Sequence, residues 1–277
     1  MKHIQWFPGH MTKAMRMMED NVKLVDGVIM ILDARAPFAC INKKLDGLFV
    51  NRPVLYVLNK ADLVNKSDTD RVIKEFAKDG RQAVACTGVD KKAVTLLYNK
   101  IFSMLRFKLE KNKERGYFKP LRIMVAGIPN TGKSTIINSL CGSKKTVTGD
   151  KAGVTRGKQW VRLKELDLLD TPGTMPPSFE NQTYAKHLAY LGSINDEILD
   201  FEELTEEFVM ELAQKHPEVM TQKYGITEFG KSYEEYRELI CRKRGYIIKG
   251  GEIDTERFSK AVIDDFRKGR LGKICLE

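Results

Sequence analysis

The sequence has little of what marks a secreted or a membrane-spanning protein. Its five cysteines are scattered and form no CxxC pair, so neither a disulfide framework nor a zinc site is expected, and a reducing compartment fits best. Residues 1–12 lack the long apolar core of a signal peptide. No apolar run approaches the roughly 18 residues that a membrane-spanning helix needs. We therefore expect a cytoplasmic protein.

Acidic residues are outnumbered by basic ones. Lys and Arg total 47 and Asp and Glu total 37, so the formal net charge of the 277 residues is +10. The basic surplus lies in residues 1–177, whereas residues 178–277 carry more acid than base. A basic surface favours a polyanionic partner, although a basic enzyme without one is the simpler alternative. From the length and this change in charge we predict two domains, 1–177 and 178–277.

Apolar runs alternate with amphipathic stretches in the first of these regions. Residues 25–32, 53–58 and 121–126 are apolar enough for buried strands, and helical spacing recurs between them. This alternation predicts α/β architecture with a mostly parallel, doubly wound sheet. The highly charged residues 108–119 are predicted to form a surface connector. Residues 178–277 are helical in pattern, which predicts a small all-α domain.

A phosphate-binding loop is the sharpest motif. It matches GxxxxGK[ST], lies between a predicted strand and a predicted helix, and reads Gly127-Ile128-Pro129-Asn130-Thr131-Gly132-Lys133-Ser134. Glycines in such a loop let backbone N–H groups surround a phosphate. Lys133 is expected to reach the β/γ-phosphates, and the Ser134 hydroxyl is expected to bind Mg²⁺. The predicted nucleotide contacts in this segment are Asn130, Thr131, Gly132, Lys133, Ser134 and Thr135.

A second motif, Asp170-Thr171-Pro172-Gly173, follows the predicted strand at 166–169. An Asp at the end of an apolar strand suits a Walker-B role, in which it holds Mg²⁺ directly or through water. The backbone N–H of Gly173 can approach a γ-phosphate. Thr155 lies between the two motifs and is predicted to complete the Mg²⁺ coordination in the triphosphate state. We expect Thr155 and Gly173 to take part in hydrolysis.

A third motif indicates guanine. Asn59-Lys60-Ala61-Asp62 fits NKxD and follows a predicted strand. The Asp62 carboxylate can accept hydrogen bonds from the guanine N1–H and exocyclic amine, a donor pair that adenine lacks. Lys60 can lay its aliphatic stem along the base, and Asn59 can brace the loops. Backbone contact to the guanine O6 is predicted from Cys86, Thr87 and Gly88. The expected ligands are GTP and GDP.

The order of the motifs is unusual. The NKxD motif at Asn59 precedes the phosphate loop at Gly127, which reverses the order of ordinary GTPases. One doubly wound sheet can be cut and rejoined when its original termini lie close together. The sequence therefore predicts a circularly permuted GTPase domain, with residues 108–119 as the new join.

Three further segments, together with this order, resemble one family over almost the whole chain. They read Trp6-Phe7-Pro8-Gly9-His10-Met11, Leu32-Asp33-Ala34-Arg35-Ala36-Pro37 and Asp265-Phe266-Arg267-Lys268-Gly269-Arg270-Leu271-Gly272. They are similar to the circularly permuted GTPases of the ribosome biogenesis GTPase A (YlqF) family. The resemblance implies a GTPase that acts in late maturation of the large (50S) ribosomal subunit and docks on rRNA through its helical C-terminal domain. We expect a monomer without membrane or DNA partners.

The residue after Gly173 bears on the rate of hydrolysis. Ras-like enzymes place a water-orienting Gln there, but this chain has Thr174, which is too short for that role unaided. We therefore expect a GTPase that is slow alone and stimulated by the ribosomal subunit. His10 is a candidate substitute, because His can orient or deprotonate water near neutral pH. The alternative is that His10, Trp6 and Phe7 form a structural arm or contact RNA.

The Asn130 amide oxygen matches a K⁺ ligand by resemblance, and a role in bracing the loop is an equal alternative.

A catalytic GTP switch is the leading interpretation. The first rival is a nucleotide-gated RNA-binding module whose hydrolysis is incidental. The second rival is a GTPase that acts on tRNA or at a membrane, and the absence of an apolar anchor argues against the membrane.

Overall fold

A computed structural model describes residues 3–117, 119–142, 159–163 and 165–277. A single mixed sheet lies at its centre, with strand order β3-β2-β1-β4-β6-β5. The strands are β1 (Gly27–Asp33), β2 (Val54–Asn59), β3 (Gln82–Ala85), β4 (Leu121–Ala126), β5 (Gln159–Arg162) and β6 (Leu166–Asp170). All neighbouring pairs are parallel except β5 with β6. The predicted α/β class with a mostly parallel sheet is confirmed.

Helices cover both faces of the sheet and make up most of residues 178–277. In the part of the chain before residue 178 they are α1 (Gly9–Asn21), α2 (Lys43–Leu48), α3 (Lys66–Lys78), α4 (Lys91–Met104), α5 (Arg106–Glu114) and α6 (Lys133–Cys141). After it come α7 (Gln182–Tyr190), α8 (Phe201–Lys215), α9 (Pro217–Tyr224), α10 (Tyr233–Arg244) and α11 (Thr255–Arg267). None of the helices in the described ranges is long and apolar enough to cross a membrane.

The predicted connector at 108–119 is largely helical, because α5 continues to Glu114. None of its described residues is buried, so this segment is exposed to solvent as expected. The ion pair between Arg106 and Glu110 spans one helical turn, and the next glycine is Gly116, at a positive φ of 69°. Helix-favouring residues and i,i+4 charge pairing thus extend the helix until that glycine.

The central strand β1 explains how two apolar layers form. Its seven residues are all buried, and alternate side chains enter different clusters. Ile29 and Ile31 pack with the cluster that includes α4 and α6. Met30 and Leu32 pack with the cluster that includes α1, α3 and the helices after residue 178. Because this second cluster is continuous, the apolar core crosses the predicted boundary at residue 178.

The end of the chain returns to the sheet after α11. The Ile274 amide donates to the Leu63 carbonyl at 3.0 Å, and the Leu276 amide donates to the Arg35 carbonyl at 2.8 Å. The Glu277 carboxylate accepts hydrogen bonds from two backbone amides at 38–39. These bonds hold the C-terminal segment against the carboxyl edge of the parallel strands, where the predicted site lies.

Candidate guanine-nucleotide site

The phosphate loop runs from the end of β4 to the start of α6. Asn130 and Gly132 adopt positive φ angles of 61° and 92°. A Cβ atom on Gly132 would lie 2.3 Å from the Asn59 amide nitrogen, so the loop requires glycine there. Ser134 and Thr135 lie in the first turn of α6, whose N–H groups favour an anion. The predicted phosphate-binding residues therefore lie on one loop-to-helix junction.

Lys133 is buried at the start of α6. Its ammonium donates to the Ile128 carbonyl at 2.7 Å, within the same loop. Burial lowers the pKa of Lys133 to about 8, and the charge of Asp170 opposes this shift. The loop thus holds a desolvated cation, which gains favourable interactions when a phosphate replaces the carbonyl as its partner.

Asn59 joins three loops. Its amide nitrogen donates to the Thr131 carbonyl at 2.8 Å. Its amide oxygen accepts from the Gly88 N–H at 3.0 Å. The predicted bracing role therefore has a geometric basis, because one side chain links the NKxD loop, the phosphate loop and the loop after β3.

The remaining base-loop residues lie around Asn59. Lys60 has a positive φ of 60° and donates from its ammonium to the Asn130 carbonyl at 2.9 Å. Asp62 is exposed in a single 3₁₀ turn, where its carboxylate is accessible to a base. The Cys86 carbonyl accepts from the Ala61 N–H, and burial raises the pKa of the Cys86 thiol to about 11. The neighbouring Thr87 is half-buried.

Asp170 ends β6 beside the phosphate loop. Both of its carboxylate oxygens are buried and have no hydrogen-bond partner among the described residues. Burial raises the pKa of Asp170 to about 6, against the charge of Lys133. This buried carboxylate lies beside the loop that carries Ser134 and has no hydrogen-bond partner among the described residues. It therefore fits Mg²⁺, which prefers oxygen ligands. Such an ion, when bound, neutralises charge between the β- and γ-phosphates.

Gly173 packs against the phosphate loop. A Cβ atom there would lie 2.6 Å from the Pro129 nitrogen, so only glycine permits this approach. The next N–H, that of Thr174, donates to the Gly127 carbonyl at 3.3 Å. Thr174 is fully buried, and its hydroxyl has no partner among the described residues. The two phosphate motifs are therefore in direct backbone contact.

Two predicted catalytic residues have different outcomes. Thr155 lies outside the described residues. His10 is exposed in the first turn of α1. The sulfur of the adjacent Met11 lies 3.4 Å from the Met175 amide, two positions after Gly173. The start of α1 thus packs beside the DxxG segment, while the preceding residues Trp6 and Phe7 pack against the core.

The structure adds contacts that sequence reasoning missed. The Asn130 amide nitrogen donates to the Gly192 carbonyl at 2.5 Å. The Ser193 hydroxyl donates to the Pro129 carbonyl at 2.9 Å. Gly192 and Ser193 follow α7, in a turn with no sequence signal for nucleotide binding. These contacts favour the bracing role of Asn130 and leave its K⁺ role a prediction.

Comparison with known proteins extends the geometric result. A family model described as 50S ribosome-binding GTPase matches residues 122–233. Ribosome biogenesis GTPase A of Bacillus cereus is 36% identical over 277 residues, covering 99% of this chain and 93% of that protein. The chain belongs to the ribosome biogenesis GTPase A family. It is accordingly a GTPase that binds guanine nucleotides, as the motifs predicted.

A second relative and two solved structures agree with this assignment. Ribosome biogenesis GTPase A of Thermotoga maritima is 30% identical and covers 99% of this chain and 94% of its own length. A GDP-bound YlqF structure has a TM-score of 0.67 and 28% identity, covering 95% of this chain and 98% of that one. GNP-bound YlqF from T. maritima has a TM-score of 0.66 and 28% identity, covering 96% of this chain and 97% of that one. The family fold therefore extends over nearly the whole chain.

Proposed function

We propose that this GTPase is a cytoplasmic assembly factor that acts in late maturation of the large ribosomal subunit. Relatives over almost the full length are named as ribosome biogenesis GTPases, and the matching family model is named for 50S binding. The single observation that carries the site assignment is Asn59, whose side chain bonds to both the phosphate loop and the loop after β3. Three loops that are far apart in sequence are thereby joined by one side chain.

In this proposal, Asp62 selects guanine, Lys60 supports the base, and residues 86–88 contact O6. Residues 130–135 and Gly173 hold the phosphates. Ser134, Asp170 and Thr155 hold Mg²⁺, directly or through water, and Asn130 is a candidate K⁺ ligand.

Residues 178–277 are proposed as the ribosome-docking domain of a monomeric protein. Although this region is net acidic, the C-terminal turn of α10 and the following loop expose a group of basic side chains: Arg242, Lys243, Arg244 and Lys249. Exposed Lys and Arg neutralise phosphates and release counterions, so rRNA is the expected contact.

Hydrolysis is proposed to be slow until the subunit orders the site. Thr174 is fully buried and its N–H is committed to Gly127, so it cannot orient a water as Gln does. His10 is exposed, and the sulfur of the adjacent Met11 lies 3.4 Å from the amide of Met175, two positions after Gly173. A bound subunit that fixes the start of α1 can bring this imidazole toward the attacking water.

Multiple-turnover phosphate release tests this function. We expect a low rate with GTP and Mg²⁺ alone and a large increase when purified large subunits are added. Small ribosomal subunits are the matched control and should leave the rate low. Equal rates with and without large subunits would contradict the proposed catalytic switch.

A nucleotide-gated RNA-binding module with incidental hydrolysis is the second candidate. The burial of Thr174 favours it, because no residue of the DxxG segment then replaces the water-orienting Gln. This candidate predicts large-subunit binding that depends on GTP, with turnover unchanged by the subunit. Measuring binding and turnover in the same samples separates the two functions.

A further inference from the structure

Asp33 is a buried carboxylate beside the guanine-base loop. It is the last residue of β1, and its Cα partner in β2 is Asn59. Its carboxylate accepts from the Arg35 guanidinium at 2.9 and 2.8 Å. The Lys60 ammonium lies 2.8 Å from the same carboxylate. Two cations thus converge on one fully buried anion.

This cluster is ionised despite its burial. Burial by itself would raise the pKa of Asp33, but the charges of Arg35 and Lys60 outweigh it and hold that pKa well below its ordinary range. Buried ion pairs are a costly means of stabilisation, because desolvation offsets much of the attraction. What Asp33 does provide is a fixed position: the Lys60 ammonium is held between its carboxylate and the Asn130 carbonyl.

Arg35 connects this cluster to the C-terminal helices. Its guanidinium donates to the Phe266 carbonyl at 2.8 Å and to the Arg267 carbonyl at 3.3 Å. It also lies over the Phe266 ring, 4.7 Å from the centroid. These carbonyls belong to the C-terminal turn of α11, the negative end of the helix dipole. The Arg35 carbonyl in turn accepts from the Leu276 amide.

We propose that Asp33 is a positioning residue for Lys60, and that Arg35 makes this position depend on the end of α11. The chain of contacts from the base to α11 is Lys60, Asp33, Arg35 and the carbonyl of Phe266. Affinity for the base and the placement of the C-terminal segment are therefore coupled, and the coupling is reciprocal. This inference rests on the proposed contact of Lys60 with the base.

Affinity for GDP in a double-mutant cycle tests the positioning role. Asp33→Asn removes the charge that holds Lys60, and we expect GDP binding to weaken about tenfold, as for residues in direct contact. In a Lys60→Ala background the same change should have no further effect. A merely structural Asp33 would weaken binding equally in both backgrounds, which would overturn the inference. Inosine diphosphate, which lacks the 2-amino group of guanine, should lose as much affinity as GDP, because the proposed contact of the Lys60 stem is with the ring rather than with the 2-amino group.

Asp46→Asn is the matched control. Asp46 also pairs with an arginine, Arg81 at 3.2 Å, and with the Tyr56 hydroxyl at 2.9 Å. None of its contacts among the described residues is with a nucleotide motif, so GDP affinity should stay unchanged. A loss of affinity in the control as large as in Asp33→Asn would contradict a specific role for Asp33.

Hydrogen exchange in the unmodified protein tests the coupling even if Asp33→Asn fails to fold. The Ile274 and Leu276 amides donate to Leu63 and Arg35, so GDP should slow their exchange. The Phe258 amide, which donates to Asp254 at the start of α11, is the reference. Slowing at 274 and 276 beyond that at 258 supports the coupling, and equal slowing or none contradicts it.

The test separates this inference from the proposed base site. If Asp62→Asn leaves nucleotide choice unchanged, the base site itself is wrong, and the inference falls with it. If Asp62→Asn changes nucleotide choice while Asp33→Asn keeps full GDP affinity, the base site stands and only the role of Asp33 is overturned.

Discussion

The Asn59 amide nitrogen donates to the Thr131 carbonyl at 2.8 Å, across 72 positions of sequence. This bond joins the NKxD loop to the phosphate loop, although the permutation places NKxD first in the chain. The parallel strands β2 and β4 end at the same edge of the sheet, so their following loops meet there. The order of the motifs along the chain is therefore irrelevant to the geometry of the site.

Asn59→Ala should weaken binding of GDP and GTP alike. The substitution removes two hydrogen bonds and leaves the Gly88 N–H and the Thr131 carbonyl without this partner. We expect a cost of about 1–3 kcal/mol, or roughly a 5- to 150-fold higher Kd. Isothermal titration calorimetry measures this change in Kd. Asn65→Ala is the control, because the Asn65 side chain does not cap α3; equal affinities in all three proteins would exclude the bracing role.

Asp170→Asn should raise the Mg²⁺ concentration that GTP hydrolysis requires. The buried carboxylate has two oxygens with no partner among the described residues, which suits a cation bound directly or through water. We expect a roughly 10- to 100-fold increase, as for residues that tune a metal site. GDP binding without Mg²⁺ should change little. Asp167→Asn, in the same strand, is the control, and an unchanged Mg²⁺ requirement for Asp170→Asn would refute the metal assignment.

His187 should make stability depend on pH. Its imidazole is buried between Glu211 at 3.0 Å and Glu277 at 3.1 Å, and Lys215 pairs with Glu211. Burial alone would lower the pKa of His187, but hydrogen bonds to both carboxylates raise it above the ordinary 6.5. Burial opposes a lowered pKa at Glu211, yet its bonds to His187 and Lys215 keep that pKa below the ordinary 4.5.

The direction in which stability changes with pH follows from the difference in pKa between the folded and unfolded states. The contribution of His187 is complete below pH 6.5 and is lost as pH rises through its raised folded pKa. That of Glu211 is complete above pH 4.5 and is lost as pH falls through its lowered folded pKa. The free energy of unfolding, measured with urea as a function of pH, should be greatest between pH 4.5 and pH 6.5. His187→Gln should remove the decline on the alkaline side, whereas His216→Gln should retain it; a decline unchanged in His187→Gln would contradict this account.

His10→Ala separates catalysis from RNA contact. Stimulated turnover is measured against the concentration of large subunits. If His10 orients the water, the variant should reach a low plateau and keep its GTP affinity. If His10 only contacts RNA, the full plateau should return at higher subunit concentration, and the catalytic role is then rejected. Arg16→Ala, an exposed cation on the same helix, is the matched control and should reach the full plateau.

Local sequence signals were enough for much of the fold and site. The phosphate loop before Lys133 and the NKxD loop at Asn59 each follow an apolar strand. The glycines of the first loop and the carboxylate of the second lie within short contiguous motifs, so both loops could be predicted. The bounds of the short helices α2 and α9 could not be predicted from periodicity, since six and eight residues carry little of it. The one local signal for α9 is Pro217, because proline is favoured at the first position of a helix.

Long-range contacts could not be predicted in this way. Arg35 donates to the Phe266 carbonyl, 231 positions away, and a backbone carbonyl has no sequence signature. Asp33 ends an apolar strand, as Asp170 does, so its position alone could have marked it as a candidate. The return of Ile274 to Leu63 depends on how α11 packs, which no local pattern encodes.

Nucleotide choice in Asp62→Asn tests the central claim most directly, namely that the permuted motifs form one guanine-nucleotide site. The amide presents a donor where the carboxylate accepted from guanine, so GTP binding should weaken, and a carbonyl at position 2 of the base suits the new donor. We predict lower affinity for GTP and gained affinity for xanthosine triphosphate, with Asp70→Asn on α3 as an unchanged control. Unaltered GTP affinity with no gain for xanthosine triphosphate would contradict the assignment.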